Sequence, residues 1–436
     1  MTPSAAATLP RFRWVICLLL FLATAINYMD RQILSLLKPL LDQQMGWSNT
    51  AFGTINAFFQ AAYACGLLAF GWFVDRFGVK LGYGLSVFLW SLAAGSHALV
   101  GGIGGFIGAR SFLGFSEAGN FPAAVKTVAQ WFPRAERALA TALFNSGANA
   151  GALIAPAVVP WLADQYGWRA PFVVAGAAGL VWVVFWTRVY APPEEHPAVS
   201  PAELALIAGG GAEEGTPFAP PLSWAVLLRH RETWAYVAAK LLTDPVWYFF
   251  LIWLPDYFKK TRGLDLKHSW PDLIGIYGLI TVLSLGGGWL SGRLLRAGWS
   301  VTAARKTALF AFALLVLPVI FASNAPVWAA VMLIGLAGAA HQAWSATLYT
   351  VVSDIFPKRA LGSVIGIGSM AGSVGGIGFA LLCGALLDDY GAVGAHRSYG
   401  LLFGYCGIAY LLAFGVHHLL TPRFLPLRLD TPTIPA

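Results

Sequence analysis

Asn27-Tyr28-Met29-Asp30-Arg31 is a polar interruption inside an apolar run that begins near Trp14 and continues to about Leu41. A bilayer span takes roughly 20 mostly apolar residues, and this run is long enough. A charge at the centre of such a helix costs roughly 2.5–3.5 kcal/mol on insertion scales. A buried Asp-Arg dipeptide therefore faces a water-filled cavity or partners inside a bundle. Either it is an ion pair that fixes helix packing, or it belongs to a site that handles charged solutes.

The rest of the chain agrees with a membrane setting. Of its 436 residues, 58% are hydrophobic and 11% charged, against roughly 25% charged in soluble domains. The formal charge of +8 reads as cytoplasmic-loop charge. No Lys/Arg run is interleaved with aromatics, so no nucleic-acid partner is expected. Cys17, Cys65, Cys383 and Cys406 lie in apolar stretches without metal-ligand spacing, so neither a metal nor a disulfide is expected. The first apolar run lacks a small-residue cleavage end and reads as a retained helix.

Twelve runs qualify as spans: 14–38, 51–73, 81–100, 103–126, 137–161, 168–190, 233–258, 271–292, 303–322, 326–353, 360–386 and 398–420. Basic residues concentrate on alternate loops, with Arg11 and Arg13, Arg76 and Lys80, Arg134 and Arg137, Lys358 and Arg359, and Arg423 on one side. The positive-inside rule then places both termini in the cytoplasm. The long connection from Pro192 to Arg231 carries Pro192-Pro193-Glu194-Glu195, Gly209-Gly210-Gly211 and Pro220-Pro221. It reads as a linker, with a capping-box start to a short helix at Ser200-Pro201-Ala202-Glu203. The expected division is a first six-helix bundle over 1–191, a cytoplasmic linker over 192–231 and a second bundle over 232–436.

The halves echo each other. Gly71-Trp72 after the second span returns as Gly288-Trp289 in the eighth, and Trp131-Phe132-Pro133-Arg134 after the fourth returns as Ile355-Phe356-Pro357-Lys358 after the tenth. Parallel repeats of this kind place a substrate site near the midplane, between the halves.

Ionisable and polar groups recur inside the spans. Arg110 and Glu117 are seven residues apart, nearly two helical turns, and share one face. A guanidinium suits a carboxylate through two parallel hydrogen bonds, and a carboxyl shielded from water can carry a proton near neutral pH. Arg110 thus fits anion binding and Glu117 proton carriage; the plainer reading pairs them structurally with Asp30 and Arg31. Tyr28, Tyr63, Asn145 and Asn149 suit sugar hydroxyls, or else interhelical hydrogen bonding. Lys240 and Asp244 form an i,i+4 pair beside Pro245, with Trp247 and Tyr248 next to them. His341 and Gln342 lie in the tenth span, and Ser373 in the Gly-rich eleventh. In Gly71-x-x-x-Asp75-Arg76-x-Gly78-x-Lys80, Gly71 allows close helix approach, Gly78 a tight turn, and Asp75 and Arg76 can pair or cap a neighbouring helix.

This loop resembles that of the major facilitator superfamily, with Val79 where a second basic residue is usual. Asn27-Tyr28-x-Asp30-Arg31, Arg110-x6-Glu117, Trp131-Phe132-Pro133-x-x-Glu136-Arg137 and Asn145-Ser146-Gly147 resemble its anion:cation symporter branch. Lys240 to Trp253 and His341-Gln342-Ala343 resemble the hexuronate members most. The resemblance implies an all-α integral membrane protein of twelve transmembrane helices in two pseudo-symmetric six-helix bundles. It implies proton-coupled import of a sugar-acid anion by alternating access, with no enzymatic activity and no cofactor beyond the coupling proton. Asp30 and Glu117 would couple protons. Tyr28, Arg31, Tyr63 and Arg110 would contact the anion, with Asn145, Asn149, Lys240, Trp247, His341, Gln342 and Ser373 around it. Gly71, Asp75, Arg76, Gly78 and Lys80 would latch the cytoplasmic side. A monomer in the inner membrane of a bacterial cell is expected. Some galactonate-type members carry glutamine where this chain has Ala148, so the particular acid stays open. Alternatives are a symporter for an aldonate or aromatic carboxylate, or a non-transporting membrane sensor.

Overall fold

In a computed structural model the described residues are 12–46, 49–208, 222–262, 276, 278–280, 283 and 289–427. Every regular element among them is helical. In chain order the main helices are α1 (Phe12–Met45), α2 (Asn49–Phe77), α3 (Val79–Ser96), α4 (Ile103–Glu117), α5 (Asn120–Trp131), α6 (Arg134–Tyr166) and α7 (Ala170–Val189). They continue as α8 (Pro201–Ala208), α9 (Arg231–Arg262), α10 (Val301–Val316), α11 (Val327–Ile355) and α12 (Leu361–Leu420).

Eight stretches among the described residues are long and apolar enough to cross a membrane. The expected eighth span, 271–292, lies mostly outside the described residues. The expected fourth span, 103–126, is two helices, α4 and α5, interrupted at Ala118–Gly119. The interruption falls just after Glu117, where the chain brings a charged side chain into the bundle. α12 comprises the expected eleventh and twelfth spans. Its arms fold back on each other, with Phe379 stacked on Tyr405 at 4.6 Å and Ser398 Oγ donating to the Leu386 carbonyl at 3.1 Å.

Small residues set the helix spacing, as they do where lipid removes the hydrophobic drive between helices. A Cβ at Gly147 would run into the Phe21 carbonyl oxygen, and one at Gly151 into that of Ala25. These two glycines share the face of α6 that meets α1. Asn145 and Asn149 sit two residues ahead of them, about 200° around the helix, and so point away from that contact.

At the end of the bundle that carries the α2–α3 turn, the two halves touch at two junctions. At one, Gly71 of α2 lies against the start of α12, where an added Cβ would be 2.5 Å from the Gly362 carbonyl oxygen. Asp75 accepts from the backbone N–H groups of Gly362 at 2.9 Å and Ser363 at 2.6 Å, and from Lys126 Nζ at 2.7 Å. It supplies the anionic cap that Ala360 cannot give to α12. The ionic partner of Asp75 is therefore Lys126, not the adjacent Arg76, which is exposed, as is Lys80. Gly78 turns the chain with φ +83°. At the other junction Asp354 of α11 accepts from Arg305 Nε at 2.9 Å and pairs with Arg137 at 3.5 Å and Arg134 at 3.8 Å. Arg305 also donates to the Arg134 carbonyl, and Arg137 to that of Ser353.

The first part of the expected linker is bound to α1. Ser200 Oγ accepts from the Glu203 backbone N–H at 3.2 Å, as the capping-box pattern requires. Glu203, fully buried, accepts from the backbone N–H groups of Phe12 and Arg13 and from the Arg13 guanidinium at 2.9 Å. Arg13 also pairs with Glu136 at 2.8 Å.

Candidate functional site: a charged cavity between the two halves

A cleft with about 530 Å3 of space between atoms, part of it open to solvent, lies between the halves. Tyr28, Arg31, Tyr63, Phe121 and Asn145 line it from the first half. Lys240, Asp244, Trp247, Tyr248, His341, Gln342, Ser345, Tyr349, Ser369 and Ser373 line it from the second.

Arg31 dominates the first wall. Its Nε donates to Glu117 Oε2 at 2.7 Å, joining α1 to α4. The guanidinium lies 4.5 Å from the Tyr63 ring centre, 4.9 Å from that of Tyr28 and 5.5 Å from that of Phe59. These faces favour a cation without neutralising it. Arg31 Nη2 is buried with no hydrogen-bond partner among the described residues. Such an orphan donor is costly unless a ligand completes it.

Arg110 does not line the cavity. It sits behind Arg31, 4.8 Å from the Phe59 ring centre, and donates to the Arg31 carbonyl at 2.9 Å and the Asp30 carbonyl at 3.5 Å. The described contacts make it a backbone clamp on α1, away from the cavity wall. Asp30 and Glu117 are likewise sealed from the cavity, at 2% and 0% exposure. Both oxygens of Asp30 and Oε1 of Glu117 lack a hydrogen-bond partner among the described residues. Asn149 is buried and also lies off the cavity wall, its Nδ2 unpartnered among them.

The second wall carries its own ion pair. Lys240 Nζ pairs with Asp244 Oδ2 at 2.7 Å, donates to Tyr349 Oη at 3.2 Å and lies 4.9 Å from that ring centre. Trp247 stacks on His341 with ring centres 5.1 Å apart and planes 5° from parallel. His341 Nδ1 is hydrogen-bonded to Tyr410 Oη, whose hydroxyl also donates to the Thr243 carbonyl at 3.3 Å. The described partners of His341 fix its ring orientation. Two contacts span the halves at the cavity itself: Asn145 Nδ2 donates to Gln342 Oε1, and Phe121 stacks on Tyr349 at 5.7 Å. Tyr349 precedes Asp354 by five residues, about 7.5 Å along α11. The Phe121–Tyr349 stack thus stands between the cavity and the junctions at Asp75 and Asp354.

Phe121 and Tyr349 were absent from the expected site. Tyr349 carried a signal, since positions 341, 345 and 349 repeat every four residues on one helix face. Phe121 carried none, because its placement depends on the α4–α5 interruption. Among the described residues no group of three or more His, Cys, Asp and Glu could hold a metal ion.

An all-helical membrane bundle with a charged cavity between its halves has the layout of a solute carrier, not of an enzyme. The sequence profile of the Major Facilitator Superfamily matches residues 20–380, and the chain belongs to that family. It is 31% identical over 387 residues to the hexuronate transporter of Escherichia coli (strain K12), covering 87% of this chain and 88% of that protein. It is 32% identical over 439 residues to a probable galactarate/D-glucarate transporter, GudP, of Bacillus subtilis (strain 168), covering 95% and 93%. The proton:xylose symporter XylE shares the fold, with a TM-score of 0.70 at 16% identity over 92% of this chain and 94% of that one. The protein is a multi-pass membrane transporter.

Proposed function

We propose that the chain imports a sugar-acid anion, of the hexuronate class, with protons. The observation that carries this reading is Arg31, a cation at the cavity wall with one nitrogen held by Glu117 and another unpartnered among the described residues. A substrate carboxylate completes Arg31 Nη2 and competes with Glu117 for the rest of the fork. Protonating Glu117 removes the competitor and keeps the buried charge balanced, so substrate and proton enter together. Asp30 is the second coupling carboxylate, close behind. Tyr28, Tyr63, Asn145, Gln342 and Ser373 offer hydroxyls and amides to the sugar, and Trp247 an apolar face. Its similarity to a hexuronate transporter and to a probable galactarate/D-glucarate transporter supports the substrate class.

In this reading the bundles at 1–191 and 232–436 rock about the cavity as units, joined by the connection at 192–231. The end carrying Asp75 and Asp354 is cytoplasmic, with both termini on that side of a bacterial inner membrane, and Gly71, Asp75, Arg76, Gly78 and Lys80 form its latch. A single chain suffices, because each wall of the cavity comes from the same polypeptide.

The test is uptake into proteoliposomes with an inward proton gradient, offering labelled galacturonate. Gradient-driven accumulation competed by glucuronate, and not by neutral galactose, supports the reading. A failure to accumulate any sugar acid overturns it.

A further inference from the structure

Of the three buried carboxylates near the cavity, Asp30 and Glu117 are sealed behind Arg31. Asp244 alone lines the cavity and keeps measurable side-chain exposure, 14%. Its partner Lys240 lines the same cavity as Arg31, from the other half. Each half therefore presents one cation to the cavity, and each cation is already held by a carboxylate: Arg31 by Glu117, Lys240 by Asp244. Tyr236, Tyr349, Tyr410 and His341 surround the Lys240–Asp244 pair from α9, α11 and α12, with Tyr248 beside it. These neighbours are neutral polar groups, so Asp244 is the nearest anion to Lys240 and Lys240 the nearest cation to Asp244.

Resting on the anion-cavity reading above, we propose that Lys240 and Asp244 form a second, substrate-gated carboxylate site. A substrate with carboxylates at both ends, an aldarate, bridges Arg31 and Lys240, and Asp244 takes up a proton as Lys240 leaves it. The charge balance requires this. In the empty cavity the lysine and aspartate cancel. When a second substrate carboxylate takes the Lys240 ammonium, Asp244 would be left as an uncompensated buried anion, which is strongly unfavourable. One proton from solvent on Asp244 restores neutrality. With a monocarboxylate, Lys240 stays on Asp244 and Asp244 takes up no proton. Proton number thus follows carboxylate number: a dianion enters with one more proton than a monoanion.

The experiment compares proton-to-substrate ratios for galacturonate and galactarate in proteoliposomes at pH 7, about three units above an ordinary sugar-acid carboxyl. The ratio is read by reversal potential, in the intact chain and in Asp244→Asn. The expected result is one additional proton for galactarate in the intact chain and no difference in Asp244→Asn. Asp244→Asn leaves Lys240 without an anion and can impair folding, so the double variant Lys240→Gln/Asp244→Asn, which removes both buried charges, is measured too. Its preference for galactarate over galacturonate falls by about tenfold or more, the scale of a lost charge-assisted hydrogen bond. Equal ratios for the two acids in the intact chain, galactarate refused while galacturonate is carried, or an extra proton persisting in the variants would each overturn the inference and leave the proposed function standing. Failure to carry either acid would count against both.

Discussion

Arg31 and Glu117 join the first and fourth spans through a single 2.7 Å hydrogen bond, Nε to Oε2. Arg31 lines the cavity, and its Nη2 and the second Glu117 oxygen have no hydrogen-bond partner among the described residues. The pair is thus a contact that an incoming carboxylate can exchange. Glu117→Gln keeps the side-chain shape and removes both the competing charge and the proton site. Substrate exchange across the membrane continues, gradient-driven accumulation falls sharply, and the exchange rate varies less with pH. Counterflow and accumulation assays on the same vesicles check this.

Arg31→Lys keeps the charge and loses the planar fork. A point ammonium offers a carboxylate no bidentate geometry. The KM for sugar acid rises about 10- to 100-fold, equivalent to roughly 1.5–3 kcal/mol for a hydrogen bond to a charged group. Initial-rate measurements over a range of substrate concentrations read this directly.

Closure at the Asp75 end depends on backbone contact between α2 and α12. Gly71→Val places a branched side chain where the Gly362 carbonyl stands 2.5 Å from a single Cβ. Asp75→Ala leaves the α12 N–H groups at Gly362 and Ser363 uncapped, which costs about 1 kcal/mol or more. Both variants shift the carrier toward the state open at this end. Thiol labelling of a cysteine introduced at Ser353, in an otherwise cysteine-free chain, accelerates about fivefold or more, matching a population shift of roughly 1 kcal/mol. Unchanged labelling in both would remove this junction from the closing mechanism.

Glu203 is buried and bonds the start of α1 through two backbone N–H groups and Arg13. Glu203→Gln removes the charge and leaves Arg13 with Glu136 alone. Arg13 keeps the Glu136 carboxylate, so the loss is that of a charge-assisted hydrogen bond, roughly 1.5–3 kcal/mol, and the detergent-solubilised protein melts a few degrees lower. A melting temperature equal to that of the intact chain would show that this strap does not stabilise the fold.

Gly151→Val drives a side chain into the Ala25 carbonyl oxygen, where neither backbone can yield cheaply. It separates α1 from α6 and displaces Asn145 from Gln342. Loss of folded protein by size-exclusion chromatography is the expected outcome, while Ala150→Val on the neighbouring position serves as the comparison.

Most of the spans and the ionisable residues inside them were legible in the chain, because membrane insertion depends on local quantities: the length of an apolar run, its few charges and the basic bias of its loops. The i,i+4 relation of Lys240 and Asp244, the capping box at Ser200 and the turn at Gly78 are local in the same sense. The partners were not legible. Nothing near Asp75 in sequence points to Lys126 or to the start of α12, nothing near Arg13 points to Glu203, and Asp354 meets Arg134 and Arg137 from the other half of the chain. The sequence placed Arg110 and Glu117 on one helix face and stopped there. Tertiary packing decided that Arg31 faces the cavity while Arg110 clamps the backbone behind it, and that Asp244 is the carboxylate reached from the cavity. The reason is physical: a charge in a low-dielectric interior is defined by what surrounds it in three dimensions, and those surroundings are assembled from helices far apart along the chain.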